Sequence, residues 1–365
     1  MINSNRPGKL TRRNFNRAAG AAGLSLLLPS AGALAGAWDR KNSTKEKSPA
    51  QLVTPETKKA IDRALNYLKQ RQVKSGRNRG GFSNKGLSSG VATTSLGGLA
   101  FMCGGNAPGF GKYGKVIDRC VEFVLKNVGE DGYISKKDNS ARENMYGHGF
   151  SMLFLSQAYG MTQKKEIGDK LRKAVELTCR TQNDKGGWRY RPVKSDADLS
   201  ITVCQIMGLR GARDAGIDVP DEVRKKCIDY VKNSQNQKSG SFKYTLNGGH
   251  TTFAMTAAGV TSLYSAGIYE GEAIDRALKQ LTKFKPSGVA KGGHYFYSQY
   301  YAVQAMWHAG GEYWNAWYPA IREQLLRSQA ADGSWASSEA GPEYGAAMAS
   351  IILQMPLNYL PVFSP

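Results

Sequence analysis

QNDKGGWRYRPVKSDADLSITVCQIMGL, residues 182 to 209, carries a turn, an acidic doublet and a charge-free helical run in immediate succession. Gln182 closes an amphipathic helix, Gly186 and Gly187 let the chain turn, and Trp188 supplies an apolar plug. Asp198 stands where an N-cap belongs, just before the apolar run that starts at Leu199. The same order returns as QAADGSW from Gln329 to Trp335, so the stretch reads as one unit of a repeat.

Working outward, helical patterns come in pairs. The first member of each pair is amphipathic: Ile61, Ala64, Leu65 and Leu68 follow the spacing of one helical face, as do Ile117, Cys120, Val121 and Val124, and Ile274, Ala277, Leu278 and Leu281. The second member is of another kind. Residues 90–103, 148–159, 199–209, 250–268, 294–309 and 345–355 contain no Asp, Glu, Lys or Arg. A helix apolar all round has to be surrounded by protein, and these runs are too short and too rich in Gly, Ser and Thr to span a membrane. Turn aromatics at Phe82, Tyr133, Trp188, Phe242, Tyr295 and Trp335 mark a recurring unit. An open stack of hairpins needs polar caps at its ends, yet the last run, AAMASIILQM, is as apolar as the central ones. The pattern therefore predicts an all-α fold, an (α/α)6 toroid of six hairpins and twelve helices, over residues 54–365.

The leader differs from the rest. TRRNFNR at Thr11–Arg17 precedes an apolar run from Ala18 to Leu28 and a small-residue cleavage site at Ala33–Ala35. Residues 1–35 thus read as a twin-arginine signal peptide, with a general secretory signal as the alternative, and residues 36–53 as a flexible linker. The expected address is periplasmic or otherwise extracytoplasmic. The formal charge is +21, of which five positive charges lie in the leader, so 21 − 5 leaves +16 after cleavage. Those charges are spread over many segments, which speaks for a solvated surface and against nucleic acid, and leaves peripheral contact with an anionic surface or polysaccharide open. Cys103, Cys120, Cys179, Cys204 and Cys227 lie within helical patterns with no CxxC pair, so free thiols are expected over a disulfide framework or a metal cage. No cofactor is expected, and a metal site from His148, His250 and His294 with Asp198 is the weaker alternative to simple hydrogen-bonding histidines. A monomer is expected.

The spacing Q-x3-G-x-W, present at Gln182–Gly186–Trp188 and Gln329–Gly333–Trp335 and degraded at Gln235–Gly240–Phe242, resembles the QW repeat of squalene and oxidosqualene cyclases. That family shares its toroid with protein prenyltransferase β-subunits and complement-type thioester domains. The repeat residues Gln182, Trp188, Gln329 and Trp335 are read as structural, tying an outer helix end to the next inner helix. Asp196-Ala197-Asp198-Leu199 resembles the acid motif of the same cyclases, in which the residue corresponding to Asp198 protonates an alkene. Here Leu199 replaces the last Asp, and the chain has one toroid where those enzymes have two. The zinc-binding D-x-C context of the prenyltransferases and the thioester hexapeptide are both absent.

If every inner helix runs the same way, the residues before each one meet at one rim. His148, Asp196 and Asp198 are the candidate catalytic groups there. His250, His294, Tyr295, Tyr297, Glu343 and Tyr344 are the candidate binding groups, with Trp307 and Phe253 on the cavity wall. An N-cap role competes with catalysis at Asp198, and an ion pair with Arg189 or Arg191 is open to Asp196. The resemblance implies an exported toroid that binds, and as an enzyme modifies, an isoprenoid or similar apolar ligand. The alternatives are a carbohydrate-active (α/α)6 lyase or hydrolase on an acidic polysaccharide, with Asp198 and Glu343 facing each other, and a non-catalytic interaction scaffold. The leader gives the first test: the Arg12→Lys, Arg13→Lys double variant should stay uncleaved in the cytoplasm, and normal export of that variant would overturn the twin-arginine reading.

Overall fold

Short polar side chains stop the chain and start its helices. Thr54, Asn144, Asp198 and Thr252 each sit in extended backbone and accept a first-turn amide, from Thr57, Tyr146, Ile201 and Met255 respectively. The computed structural model describes residues 49–82, 90–136, 144–284 and 294–364. The expected leader, and the expected linker as far as residue 48, lie outside the described residues; Pro49–Leu52 form a 3-10 turn ahead of the first helix.

Twelve α-helices follow among the described residues: α1 (Pro55–Arg71), α2 (Val91–Cys103), α3 (Gly114–Lys126), α4 (Met145–Thr162), α5 (Lys165–Thr181), α6 (Leu199–Asp214), α7 (Asp221–Asn233), α8 (Phe253–Ser265), α9 (Glu272–Leu281), α10 (Tyr295–Ala309), α11 (Gly311–Ser328) and α12 (Pro342–Gln354). The even-numbered helices contain the charge-free runs, with charge only near the end of α6 (Arg210, Arg213, Asp214) and at the start of α12 (Glu343), and they pack side by side in the order α2, α4, α6, α8, α10, α12 and back to α2. That closed ring is an (α/α)6 toroid. Every residue of α2 is buried, and so is every residue of α12 after Pro342. The odd-numbered helices form the outer layer, burying the predicted faces, such as Ile61, Ala64, Leu65 and Leu68 of α1. Gly149 allows α4 to lie close against α6, because a Cβ there would sit 2.7 Å from that of Cys204.

The Gln–Gly–aromatic turns lock this arrangement. Gln182 donates its amide to the Gly186 carbonyl at 2.9 Å and to the Val223 carbonyl at 2.9 Å, in the first turn of α7. Gln235 reaches Gly240 and Ala273 in the same way, and Gln329 reaches Gly333 and Ala60. Gln72, which lies outside the Q-x3-G-x-W spacing, makes the equivalent pair to Gly80 and Val116. The Gln therefore ties one outer helix to the next outer helix, correcting the expected tie to an inner helix. Gly186 lies at φ 94°, where a Cβ would meet the Lys226 carbonyl oxygen at 2.0 Å, so the turn needs glycine for both conformation and space. Trp188 and Trp335 are buried, and their indole N–H groups donate back to Thr178 and Leu325.

Three details depart from expectation. Tyr295, expected as a turn aromatic, is the first residue of α10. In the second hairpin the buried plug two residues after the turn glycine Gly132 is Ile134, not Tyr133. Residues 250–268 are not helical throughout: Gly248–Thr251 pairs with Lys243–Thr245 as a two-stranded antiparallel ribbon, with Lys243 opposite Thr251 and Thr245 opposite Gly248. The Asn247-Gly248 dipeptide is the sequence signal for that hairpin. No described helix is long and apolar enough to cross a membrane.

Candidate functional site

Because the inner helices run parallel, their N-terminal ends gather around one cavity of about 790 Å³. Val91 and Ala92 of α2, Tyr146 and Phe150 of α4, Ser200 of α6, Ala254 and Met255 of α8, Tyr297 of α10 and Tyr344 of α12 all line it. Loops add His294, Glu339 and Ala340, and the ribbon adds Tyr244 and His250. Five tyrosines belong to the lining, and no lysine or arginine does among the described residues.

Of the residues singled out from the sequence, His250, His294, Tyr297 and Tyr344 face this cavity. The others stand elsewhere, each for an identifiable reason. His148 is fully buried between α4 and α5: its Nδ1 accepts the Ile134 amide at 3.2 Å, and its Nε2 bonds Thr178 Oγ1 at 2.9 Å. Thr94, Thr202 and Thr256 accept the amides of Phe82, Trp188 and Phe242 in the other hairpins. His148 thus replaces a threonine in the turn lock, and burial pushes its pKa down to about 4.

Asp198 is an N-cap. Its Oδ1 accepts the Ile201 amide at 2.9 Å and the Ser200 hydroxyl at 2.6 Å, while its Oδ2 faces Arg189 Nε at 3.5 Å. The carboxylate is wholly buried, which raises its pKa against the opposing pull of Ser200, Ile201 and Arg189. Asp196 is exposed and pairs with Arg189 Nη1 at 3.0 Å. Glu343 is buried beside Arg71 Nε at 2.9 Å, joining α12 to α1, so the expected pair of facing carboxylates at Asp198 and Glu343 does not form in the cavity. Phe253 turns away and stacks on Trp317 of α11 with ring centroids 5.6 Å apart. Trp307 packs edge-on against Trp314 at the far end of α10, and Tyr295 packs edge-on against Phe296. Among the described residues no three His, Cys, Asp or Glu side chains converge as metal ligands, and the five cysteines are free thiols.

The structure adds residues that the sequence reading left out. Tyr146 bonds Ser200 Oγ through its hydroxyl, and Tyr297 donates to the Ser200 carbonyl at 3.0 Å. Tyr190 and Tyr244 share a hydroxyl–hydroxyl bond of 2.6 Å, and the Arg189 guanidinium lies over both rings, at 5.3 and 5.7 Å. Glu339 is the carboxyl group of the lining; burial raises its pKa, while Tyr344 and His294 act against the rise. His294 Nδ1 lies 3.4 Å from Glu339 Oε1. Burial and the nearby Asp198 charge hold the Tyr146 hydroxyl well above the ordinary phenol range, so it stays protonated.

No family model matches the sequence, and no curated protein matches it. Solved structures do share the fold. A type II terpene cyclase from Scytonema, in complex with merosterolic acid A, aligns at 13% identity over 83% of this chain and 96% of its own, with a TM-score of 0.58. A GH76 α-mannanase from Bacteroides thetaiotaomicron aligns at 11% identity over 85% and 98%, with a TM-score of 0.58. A cellobiose 2-epimerase from Bacillus thermoamylovorans aligns at 12% identity over 82% and 99%, with a TM-score of 0.57. At these identities the likeness shows the (α/α)6 toroid alone, a scaffold that carries both terpene and carbohydrate chemistry in these neighbours.

The His148 lock has a pH signature. Its folded pKa of about 4 lies below the ordinary 6.5, so its contribution to stability is complete above 6.5 and is lost as pH falls toward 4. The loss is at most about 1.4 kcal/mol per pH unit. His308 is shifted in the same direction by burial, so the diagnostic quantity is a difference. Thermal melts from pH 7 to pH 4 should show a shallower decline for His148→Thr than for the wild type; parallel declines would contradict the buried neutral role.

Proposed function

We propose that this chain binds an isoprenoid or similar apolar ligand in the central cavity, as a single-toroid protein of the squalene-cyclase-like, QW-repeat type. The observation that carries this is the lining: a cavity of about 790 Å³ walled by Val91, Ala92, Phe150, Ala254 and Met255 with tyrosine rings at its edge. That volume and mix of apolar wall with a few polar points suit a drug-sized or larger hydrophobic ligand. Direct alkene protonation by Asp198 is not part of this reading, because Asp198 is enclosed by its cap and by Arg189 instead of opening to the cavity. The twin-arginine leader adds export to the proposal, which would place the protein outside the cytoplasm, where anionic surfaces are within its reach.

A carbohydrate-active reading is the second candidate, and one specific feature favours it. Tyr190 and Tyr244 present partly exposed rings in the same lining as the Glu339 carboxyl, and aromatic faces with a carboxyl group suit a sugar. The basic surface would then meet an acidic polymer.

Filling the cavity separates the two. Ala254→Trp adds bulk at a half-buried lining position and should weaken binding of a C15 or C20 prenol by about tenfold or more, with the melting temperature nearly unchanged. Prenol binding that is absent in the wild type, together with binding or cleavage of an oligosaccharide, would replace the first reading with the second.

A further inference from the structure

Ser200 Oγ carries one proton and has two partners. It donates to Asp198 Oδ1 at 2.6 Å. Its contact with the Tyr146 hydroxyl must then be a bond it receives, so Tyr146 donates to Ser200. Tyr297 spends its own proton on the Ser200 carbonyl at 3.0 Å. Both tyrosines line the cavity, and both have turned their protons into the wall. The oxygens they leave to a ligand can only accept.

The capping geometry holds this polarity in place. Oδ1 of Asp198 also accepts the Ile201 amide at 2.9 Å, so it remains an acceptor whatever happens at Oδ2 beside Arg189. A ligand oxygen that meets Tyr146 is satisfied only when it brings a hydrogen. An alcohol does; an ether or an anionic oxygen does not, and it leaves acceptors facing each other away from water. Compensation for an anion rests on His250 and His294, the basic side chains of the lining. No lysine or arginine lines the cavity among the described residues, and one first-turn amide each of α4, α6 and α8 is taken by Asn144, Asp198 and Thr252. The Tyr190–Tyr244 pair uses one of its two protons internally, and Asp198 draws on the Tyr244 hydroxyl as well.

We propose that the cavity selects a neutral long-chain alcohol, its hydroxyl donating to Tyr146, over the ether or the phosphate ester of the same chain. The inference rests on the apolar-ligand reading above and deepens it by naming the head group.

Three probes of one chain length test it on the full protein by titration calorimetry: farnesol, farnesyl methyl ether and farnesyl diphosphate. The alcohol should bind about tenfold more tightly than either of the others, the discrimination expected when a hydrogen-bond donor is lost from a built site. Ser200→Ala then gives a result that simple damage would not. Removing the serine hydroxyl frees the Tyr146 proton, so the ether should gain on the alcohol and the preference should shrink or reverse, whereas a packing defect would weaken both alike. Equal binding of the three by the wild type, tighter binding of the diphosphate, or an unchanged alcohol-to-ether ratio in Ser200→Ala would overturn this inference while leaving the apolar cavity standing. Failure of all three probes to bind would overturn both.

Discussion

A side-chain amide reaching two carbonyls is the interaction on which the rest of this structure depends. Four times among the described residues a glutamine at the end of an outer helix bonds its own turn and a carbonyl in the N-terminal part of another outer helix. Each bond contributes on the order of 1 kcal/mol, a modest amount next to the burial of six apolar helices. Its value is geometric. The amide, the turn glycine and the buried aromatic together fix where one hairpin ends and the next begins. The Gln329 bond to the Ala60 carbonyl spans 269 positions of sequence and joins the last hairpin to the first.

Closure of the ring determines what the cavity is made of. Six inner helices surrounded by protein bury little charge, Glu343 beside Arg71 being one case, so their side chains are mostly small, aliphatic or aromatic, and their shared direction brings six N-terminal ends to one mouth. Polar groups there serve the helices first. Asp198 and Asn144 cap, Glu343 anchors α12 to Arg71, and His148 secures a turn. What is left for a ligand includes a ring of tyrosines, of which Tyr146 and Tyr297 are bonded to Ser200 beside the Asp198 cap.

Most of the architecture was legible because it is written in two periods at once, a helical period in the outer faces and a hairpin period in the Gln–Gly–aromatic turns. The absence of charge in alternate segments identified the inner layer, and the six helix starts located the mouth. The site residues were harder for a physical reason. Being near the start of an inner helix puts a residue at the correct end of the barrel but does not fix its direction around the helix. Phe253 and Met255 are neighbours in sequence, yet Phe253 stacks on the outer Trp317 and Met255 lines the cavity. His148 was misjudged because histidine invites a chemical role, whereas comparison with Thr94, Thr202 and Thr256 at the matching positions identifies an amide acceptor. Tyr244 was lost with the ribbon, although Asn247-Gly248 announced it. Glu339 lies in a loop with no periodicity to place it.

The central claim is that ligand recognition happens inside the ring, against the apolar wall formed by the inner helix starts. The most direct measurement is an anomalous difference map from crystals of the protein soaked with a long-chain alcohol carrying a terminal bromine. The account predicts a bromine peak within the cavity bounded by Phe150, Met255 and Val91, with the hydroxyl end toward Tyr146. A peak confined to the outer helices, or a cavity that stays without bromine while the crystals take up the probe elsewhere, would contradict it.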